Sequence, residues 1–195
     1  ENLEDARYKV GRIVGRDTKN LSKQEIARAA VESVAESLVD GVTAPLFYAF
    51  LFGPVGAMAY KAINTADSMF GYKNERYQNF GCCPATLDDA ANFFPARISG
   101  LAIVAAAPFC GGNLQQSWRI LRRDCQNHAS PNSGWPEAAA AGALGIQLGG
   151  EAVYFGKTVS KPLLGESRAL PQRQHILRAC HVILTASFFC LLLFC

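Results

Sequence analysis

Three long stretches of the sequence contain no Asp, Glu, Lys or Arg, and they constrain its fold more than any other feature. They are residues 41–60, 98–118 and 179–195. A helix needs about 20 mostly apolar residues to cross the hydrocarbon core of a bilayer. Half of the 195 residues are hydrophobic and 18% are charged, against about 25% in typical soluble domains. The pattern predicts candidate membrane segments at these three positions.

Buried helices of a large soluble protein would leave similar gaps between charges. The first stretch argues against that alternative, because aromatic residues lie near both of its ends and it contains Pro45 and Pro54. Proline and glycine are commoner in membrane helices than in soluble ones. Residues 138–150 form a fourth uncharged stretch, which is too short to span and is rich in Ala and Gly. We expect it to be re-entrant, or a buried helix that packs closely through small residues.

The sequence therefore predicts an all-α, multi-pass integral membrane protein whose polar and partly helical loops carry the functional site. One domain is expected over residues 1–195. The chain begins at Glu1 and its start has no signal-peptide pattern. We expect it to be a fragment that lacks its N-terminal part.

The first polar block places three carboxylates on one face of a predicted helix. Ser22 and Glu25 have the spacing of a capping box, which predicts a helix over residues 23–39. Glu32, Glu36 and Asp40 then follow one another at intervals of four residues, where like charges repel. One interpretation is a site for Mg²⁺ or for a cationic amine. The other is a solvated helix face whose charge is balanced elsewhere.

The second polar block, residues 61–97, mixes acidic, basic and amide side chains with aromatics. Asp88, Asp89 and Asn92 would share one helical turn and bind a metal, or else cap the start of a helix. Lys73, Arg76 and Arg97 are candidates for phosphate or carboxylate binding, or else form surface ion pairs. The block also contains the polar residues Asn64 and Asp67.

The third polar block contains a tight turn followed by an Ala-rich helix. Residues 130–134 read SPNSG. Pro136 and Glu137 suit the first turn of the helix that follows, where a carboxylate interacts favourably with the helix dipole. His128 beside this turn is a candidate general acid or base, although a single histidine is more often only hydrogen-bonded. The Gly pairs in this block match neither a dinucleotide-binding nor a Walker motif.

These blocks closely resemble a known family. The matching strings include VGRDT, AVESVAES, YKAINTADSM, GYKNERY, DDAANFFPAR and SPNSGWPEAAAAGALG, and they cover about residues 3–165 in the family's order. The chain resembles the cobalamin biosynthesis family called CobD or CbiB. That resemblance implies a multi-pass protein of the cell (inner) membrane, with family members longer at the N-terminus.

The resemblance further implies an adenosylcobinamide-phosphate synthase. Such enzymes join the free propionate carboxyl of adenosylcobyric acid, a corrinoid substrate, to the amine of aminopropanol phosphate, and ATP with Mg²⁺ is expected to drive the reaction. The expected catalytic residues are Glu32, Glu36, Asp40, Asp67 and His128, the last as proton acceptor. The expected substrate and phosphate ligands are Arg16, Asn64, Lys73, Arg76, Arg97, Ser130 and Asn132. The expected Mg²⁺ ligands are Asp88, Asp89 and Glu36.

Membrane topology raises a difficulty for this assignment. If residues 41–60 cross the bilayer once, the second polar block faces the side opposite to the other two, whereas ATP is cytoplasmic. A broken or re-entrant course for residues 41–60 would remove the difficulty. The expected partners are the lipid bilayer, the two small substrates and possible enzymes of the same pathway, but no nucleic acid. The alternative function is a non-catalytic transporter or sensor related to this family.

Overall fold

The structure, a computed structural model, describes residues 2–70 and 81–194. Its elements in chain order are α1 (Leu3–Gly11), α2 (Lys23–Leu38), α3 (Ala44–Phe70), α4 (Cys82–Ala91), α5 (Phe93–Ala106), α6 (Leu114–Asp124), α7 (Gly134–Leu144), β1 (Gln147–Tyr154), β2 (Lys157–Gly165) and α8 (Arg173–Phe194). The described chain is mostly helical, as predicted. The two strands pair antiparallel, however, so the all-α prediction is wrong for this segment.

Helix α2 starts and runs as its sequence predicts. The Ser22 hydroxyl accepts a hydrogen bond from the Glu25 backbone N–H at 3.3 Å, and the Glu25 carboxylate accepts one from the Ser22 N–H at 2.8 Å. This reciprocal pair satisfies two backbone donors at the helix start. After Leu38 the chain continues as a π-helical turn, Val39–Thr43, which carries Asp40.

Helix α3 is broken and reverses direction. Gly53 has non-helical angles (φ 67°, ψ −163°) and is followed by Pro54, which has no backbone N–H to continue a helix. The rings of Tyr48 and Tyr60 stack with centroids 5.4 Å apart, whereas twelve residues of straight helix would separate them by about 18 Å. Residues 44–52 and 54–70 therefore form a helical hairpin. The broken course predicted for residues 41–60 is present.

Helices α5 and α8 pack together in the main core. A 3₁₀ turn, Ala107–Cys110, extends α5, and the chain then breaks at Gly111 before α6 begins. The uncharged segment 98–118, a candidate membrane segment, is therefore not one continuous helix. It covers the second part of α5, the break at Gly111 and the start of α6. Within residues 2–70 and 81–194, three helical stretches are long and apolar enough to cross a membrane: Lys23–Phe70, which contains the reversal at Gly53, Phe93–Cys110 and Arg173–Phe194.

Helix α7 is the buried helix of small residues that was one of two alternatives for residues 138–150. Its residues from Pro136 to Leu144 are all buried. A Cβ atom on Gly142 would lie 2.7 Å from Cα of Ser117 in α6, so the absence of a side chain permits this close approach. Beyond Gly145 the chain leaves the helix and enters β1.

The β1–β2 hairpin is anchored to the segment that precedes α2. Phe155 (φ 51°) and Gly156 (φ 77°) form its two-residue turn, and positive φ at both central residues is typical of a type I′ turn. The carboxylate of Asp17 accepts a hydrogen bond from the Gly156 N–H at 2.8 Å, and the Asp17 N–H donates to the Val153 carbonyl at 2.8 Å. The hairpin thereby packs β1 beside α2, and β2 packs against α7.

Candidate functional site

A cavity of about 320 Å³ lies between α2, α3, α4 and the loop before α7. We call it the acidic cavity, because its lining includes five carboxylates, those of Glu36, Asp40, Asp67, Asp88 and Asp89. Asn92, Ser130, Asn132 and Ser133 also line it. The reversal at Gly53 explains why carboxylates on both sides of the uncharged segment meet here, since the second arm of the helical hairpin returns to the level of Asp40.

Hydrogen bonds fix the inner wall of the acidic cavity. The Tyr60 hydroxyl lies 2.9 Å from Oδ1 of Asn92 and 3.2 Å from Oδ1 of Asp40. The amide of Asn92 donates to Asp88 at 3.0 Å, and the amide of Asn64 donates to the other Asp88 oxygen at 3.2 Å. Asn92 makes no side-chain capping bond to α5. These side chains therefore orient one another rather than cap a helix.

The loop before α7 supplies the opposite wall. The amide nitrogen of Asn132 donates to the Asp89 carbonyl at 2.8 Å. Its Oδ1 atom is buried and has no partner among the described residues. Partial burial, and then the charge of Asp88, raise the pKa of Asp89. The cavity thus combines several carboxylates with an unused amide acceptor, a set of groups that suits a cationic ligand.

A second cavity of about 190 Å³ adjoins the first, and Glu36 lines both. We call it the mixed-charge cavity, because its charged and hydroxyl-bearing lining includes Arg16, Glu32, Glu36, Glu137, Tyr154 and Lys161. Arg16 forms an ion pair with Glu32, and their side chains are only 7% and 4% exposed. Burial opposes the charge of Arg16, but the ion pair with Glu32, together with attraction to Tyr154 and Glu137, outweighs burial and raises the Arg16 pKa. Oε1 of Glu32 also accepts the Gly149 N–H at 2.9 Å.

Glu137 is the most buried acid of the mixed-charge cavity, with 1% exposure. Burial, and then the neighbouring carboxylates Glu36 and Glu32, raise its pKa well above the usual range. Its Oε1 atom has no hydrogen-bond partner among the described residues. Nε2 of His128 is 3.6 Å from that atom, which is beyond hydrogen-bond distance.

His128 lies behind Glu137. Its Nδ1 atom accepts the Ser130 N–H at 3.0 Å, so the proton of the neutral ring is on Nε2, facing Glu137. Burial, and then the charge of Lys161, lower the His128 pKa. The ring is therefore neutral at pH 7 and presents a donor to Glu137 instead of a free acceptor.

Sequence comparison gives a match along nearly the whole chain. Residues 1–183 match the family described as CobD/Cbib protein. The chain belongs to the CobD/CbiB family. It is 54% identical over 186 residues to a protein of Leptospira interrogans, 57% over 165 residues to one of Geobacter metallireducens and 49% over 193 residues to one of Listeria monocytogenes. Each of these relatives is named Cobalamin biosynthesis protein CobD.

The aligned regions cover 95%, 85% and 99% of this chain but 59%, 52% and 61% of the respective relatives. The chain thus spans about 59% of the length of its Leptospira relative. No solved structure matches it. The resemblance inferred from the motifs is confirmed, and the family is one of cobalamin biosynthesis.

Most of the site residues predicted for this CobD/CbiB family member come together. Those that line a cavity are Arg16, Glu32, Glu36, Asp40, Asp67, Asp88, Asp89, Ser130 and Asn132, and Asn64 is bonded to one of them. Arg97 does not line either cavity. Its guanidinium carbon lies 3.5 Å from the ring centroid of Phe93 and 4.9 Å from that of Trp135. His128 does not line them either, and Lys73 and Arg76 lie outside the described residues.

Sequence reasoning missed three ionisable residues that line the mixed-charge cavity. Glu137 was interpreted only as a favourable charge in the first turn of a helix. Tyr154 and Lys161 belong to the β-hairpin, which was not predicted. The paired Gly149–Gly150 and Pro162 obscured its alternation, since Gly and Pro weaken a strand signal. The Phe155–Gly156 turn between residues rich in Val and Thr was the available signal.

The donor chemistry of the acidic cavity fits Mg²⁺. Among the described residues, no group of three His, Cys, Asp or Glu side chains is close enough to form a preassembled ion site. Mg²⁺ keeps several waters and usually binds proteins through one or two carboxylates. Asp88, Asp89 and Glu36, the predicted ligands, all line the cavity. Their role as metal ligands stays a prediction.

Proposed function

We propose that this CobD/CbiB protein is an adenosylcobinamide-phosphate synthase. It would join the propionate carboxyl of adenosylcobyric acid to the amine of aminopropanol phosphate, with ATP as the energy source. The observation that carries the proposal is the pair of adjoining cavities, one acidic and one of mixed charge, with Glu36 in both linings. An ATP-dependent ligase needs a metal–phosphate region next to an amine region, and two adjoining cavities of this charge support such an arrangement.

The first half-reaction would use the acidic cavity. The propionate oxygen attacks the terminal phosphorus of ATP, which forms an acyl phosphate and releases ADP. Mg²⁺, when bound, would screen the negative charge of the phosphates. Asp88 and Asp89 would hold the ion, and the amides of Asn64 and Asn92 hold the Asp88 carboxylate in place.

In the second half-reaction the amine attacks the acyl carbon, an amide bond forms and inorganic phosphate leaves. The amine arrives as an ammonium ion, so a base must first accept a proton. Glu36 is a better candidate for this base than His128, because Glu36 lines both cavities whereas the acceptor nitrogen of His128 is occupied by the Ser130 N–H.

The synthase is tested with the full-length protein, purified in detergent. It is mixed with adenosylcobyric acid, aminopropanol phosphate and Mg-ATP, and adenosylcobinamide phosphate is sought by mass spectrometry. We expect product that depends on ATP. Glu36→Gln should abolish turnover and leave expression intact. Glu151→Gln, an exposed acid outside both cavities, is the matched control and should retain activity.

Wild-type turnover in Glu36→Gln would remove Glu36 from the mechanism. Absence of product from folded protein that still binds the corrinoid would reject the synthase and favour the transporter or sensor alternative. These two outcomes differ, because the first concerns one residue and the second the whole reaction.

We further propose that the protein is a multi-pass protein of the cell membrane, in which the helical hairpin is re-entrant. The tip of the hairpin is apolar and exposed, with Phe50, Phe52 and Val55 at 64%, 67% and 76%. Its first arm of nine residues would reach about 13 Å, less than half of a hydrocarbon core of about 30 Å. A re-entrant hairpin keeps the second polar block on the ATP side.

Thiol labelling of a cysteine-free full-length protein in vesicles tests the hairpin. A cysteine replacing Val55 should resist impermeant reagents from both faces. A cysteine replacing Thr65, an exposed position on the second arm, should react from the cytoplasmic face. Reaction of the Val55 position from the outer face would show that the segment crosses the membrane.

A further inference from the structure

We propose that the mixed-charge cavity is the subsite for the amine substrate, with Lys161 at the phosphate group and Glu137 at the ammonium group. This inference rests on the proposed function and assigns one of its substrates to particular residues. The ligand class is a small molecule that carries a cationic amine and an anionic phosphate. Lys161, Tyr154 and Glu137 would be the residues that determine this specificity.

The charges of the cavity are complementary to such a ligand. Arg16 and Glu32 neutralise each other in a buried ion pair. Lys161 then remains as the basic group of the lining, and the carboxyl groups of Glu36 and Glu137 remain on the acidic side. Burial and the neighbouring carboxylates raise the Glu137 pKa, so an ammonium group bound beside Glu137 would favour its ionised form. A purely cationic or purely anionic ligand would pair with the acidic or the basic groups alone. A ligand that carries both an ammonium group and a phosphate group pairs with both.

An unpartnered atom marks the cationic end of this subsite. Oε1 of Glu137 is buried and has no hydrogen-bond partner among the described residues. Nε2 of His128 faces it at 3.6 Å, beyond hydrogen-bond distance, and is also buried without a partner among those residues. A buried acceptor without a donor is unfavourable, so such atoms call for a partner. An alkylammonium group offers three N–H donors and would supply the missing hydrogen bond.

The β-hairpin supplies the anionic end. Lys161 pairs with Gly150 across the sheet, and its Nζ atom lies 5.8 Å from the ring centroid of Tyr154. Both side chains are partly buried and line the cavity. An ammonium ion and a phenol hydroxyl at one end of a small cavity are donors suited to phosphate oxygens.

Size and position agree with a small amine rather than a nucleotide or a corrinoid. The cavity measures about 190 Å³, which is below the ~300–1,000 Å³ of pockets for larger ligands. Glu36 joins it to the acidic cavity. An amine bound at Glu137 would therefore lie beside the region assigned to acyl phosphate formation.

The test measures binding and turnover separately on the full-length protein. Titration calorimetry compares aminopropanol phosphate with unphosphorylated aminopropanol, without ATP or corrinoid. The wild type should prefer the phosphorylated amine, and Lys161→Met should lose about tenfold to a hundredfold in affinity for it, the range of one charged hydrogen bond, with no change for the unphosphorylated amine. Lys157→Met, an exposed lysine on the same strand, is the matched control and should bind as the wild type does.

Glu137→Gln tests the other end of the subsite. It should weaken binding of aminopropanol phosphate but not of a propyl phosphate that lacks the amine. In turnover assays, Lys161→Met should raise KM for the amine substrate and leave KM for ATP and for the corrinoid unchanged, and Lys161→Arg should recover part of the loss.

The outcomes separate this subsite from the synthase. If Lys161→Met binds the phosphorylated amine as tightly as Lys157→Met does, the subsite assignment is wrong, even where amide synthesis is observed. If the wild type forms no amide but binds the phosphorylated amine in a Lys161-dependent manner, the subsite stands and the synthase fails. Equal affinity of the wild type for both amines also rejects the assignment.

Discussion

The reversal of α3 at Gly53 leads to a quantitative prediction for Gly53→Ala. The backbone of Gly53 (φ 67°, ψ −163°) lies in a region that is essentially restricted to glycine and costs about 1–3 kcal/mol for other residues. A Cβ atom there would meet no heavy atom within 4 Å. The new methyl group therefore neither gains nor loses packing contacts. In the folded state, backbone strain alone determines the change in stability.

Gly41→Ala is the matched control for this prediction. A Cβ atom on Gly41 also meets nothing within 4 Å, and Gly41 has no positive φ. Both substitutions reduce the entropy of the unfolded chain by the same amount, so that contribution cancels in the comparison. Gly53→Ala should be less stable than Gly41→Ala by the strain energy, about 1–3 kcal/mol.

The assay is denaturant unfolding of the full-length protein in detergent, followed by helical circular dichroism. The free energy of unfolding is compared between the two variants and the wild type. Gly41→Ala should equal or exceed the wild type, because alanine is favoured over glycine in a helix by about 0.5–1 kcal/mol. Equal stability of the two variants would refute the reversal at Gly53 and, with it, the convergence of Asp40 and Asp67 on one cavity.

Two further predictions concern buried charges. Arg16→Met should lower the free energy of unfolding by about 3–5 kcal/mol, because it leaves Glu32 buried without its cation. The double variant Arg16→Met/Glu32→Leu should lose much less unfolding free energy than Arg16→Met alone. An equal loss in the single and double variants would show that Arg16 and Glu32 do not stabilise each other. Hydrogen bonds from Arg123 and from the Gly165 N–H outweigh the burial of Asp124 and lower its pKa. Its stabilisation is therefore complete above the unfolded-state pKa of about 4 and is lost as the pH falls through the folded-state pKa. Asp124→Asn should have a lower free energy of unfolding than the wild type at pH 7. In denaturant titrations this difference between the two proteins should become smaller below pH ~4. A difference that does not change with pH would contradict the prediction.

Local sequence signals predicted the elements that depend on near neighbours. The Ser22–Glu25 spacing located the start of α2, because the capping box involves residues only three apart. The four-residue interval of Glu32, Glu36 and Asp40 predicted that they share a face, and the structure places all three on the two adjoining cavities. The turn over residues 130–134 and the helix after it were likewise predicted from Pro and Gly positions.

Contacts between segments far apart in the sequence could not be predicted from these local signals. Hydropathy shows that residues 41–60 are apolar, but a stretch of this composition can be a straight helix or a hairpin. The stacking of Tyr48 on Tyr60 distinguishes the two. The β-hairpin was missed because Gly149, Gly150 and Pro162 interrupt its strand pattern, and pairing across the sheet stabilises it.

The sequence by itself determined the family, the mostly helical character and the polar blocks that supply the site residues. The tertiary structure decided which of these residues meet. It brought Asp67 and Asp88 into one cavity with Glu36 and Asp40, and it placed Arg97 outside that cavity. It also brought Lys161 into the same cavity as Glu137. The physical reason is that helix starts and helix faces depend on residues a few positions apart, whereas a cavity depends on chain reversals and pairings between residues far apart in the sequence.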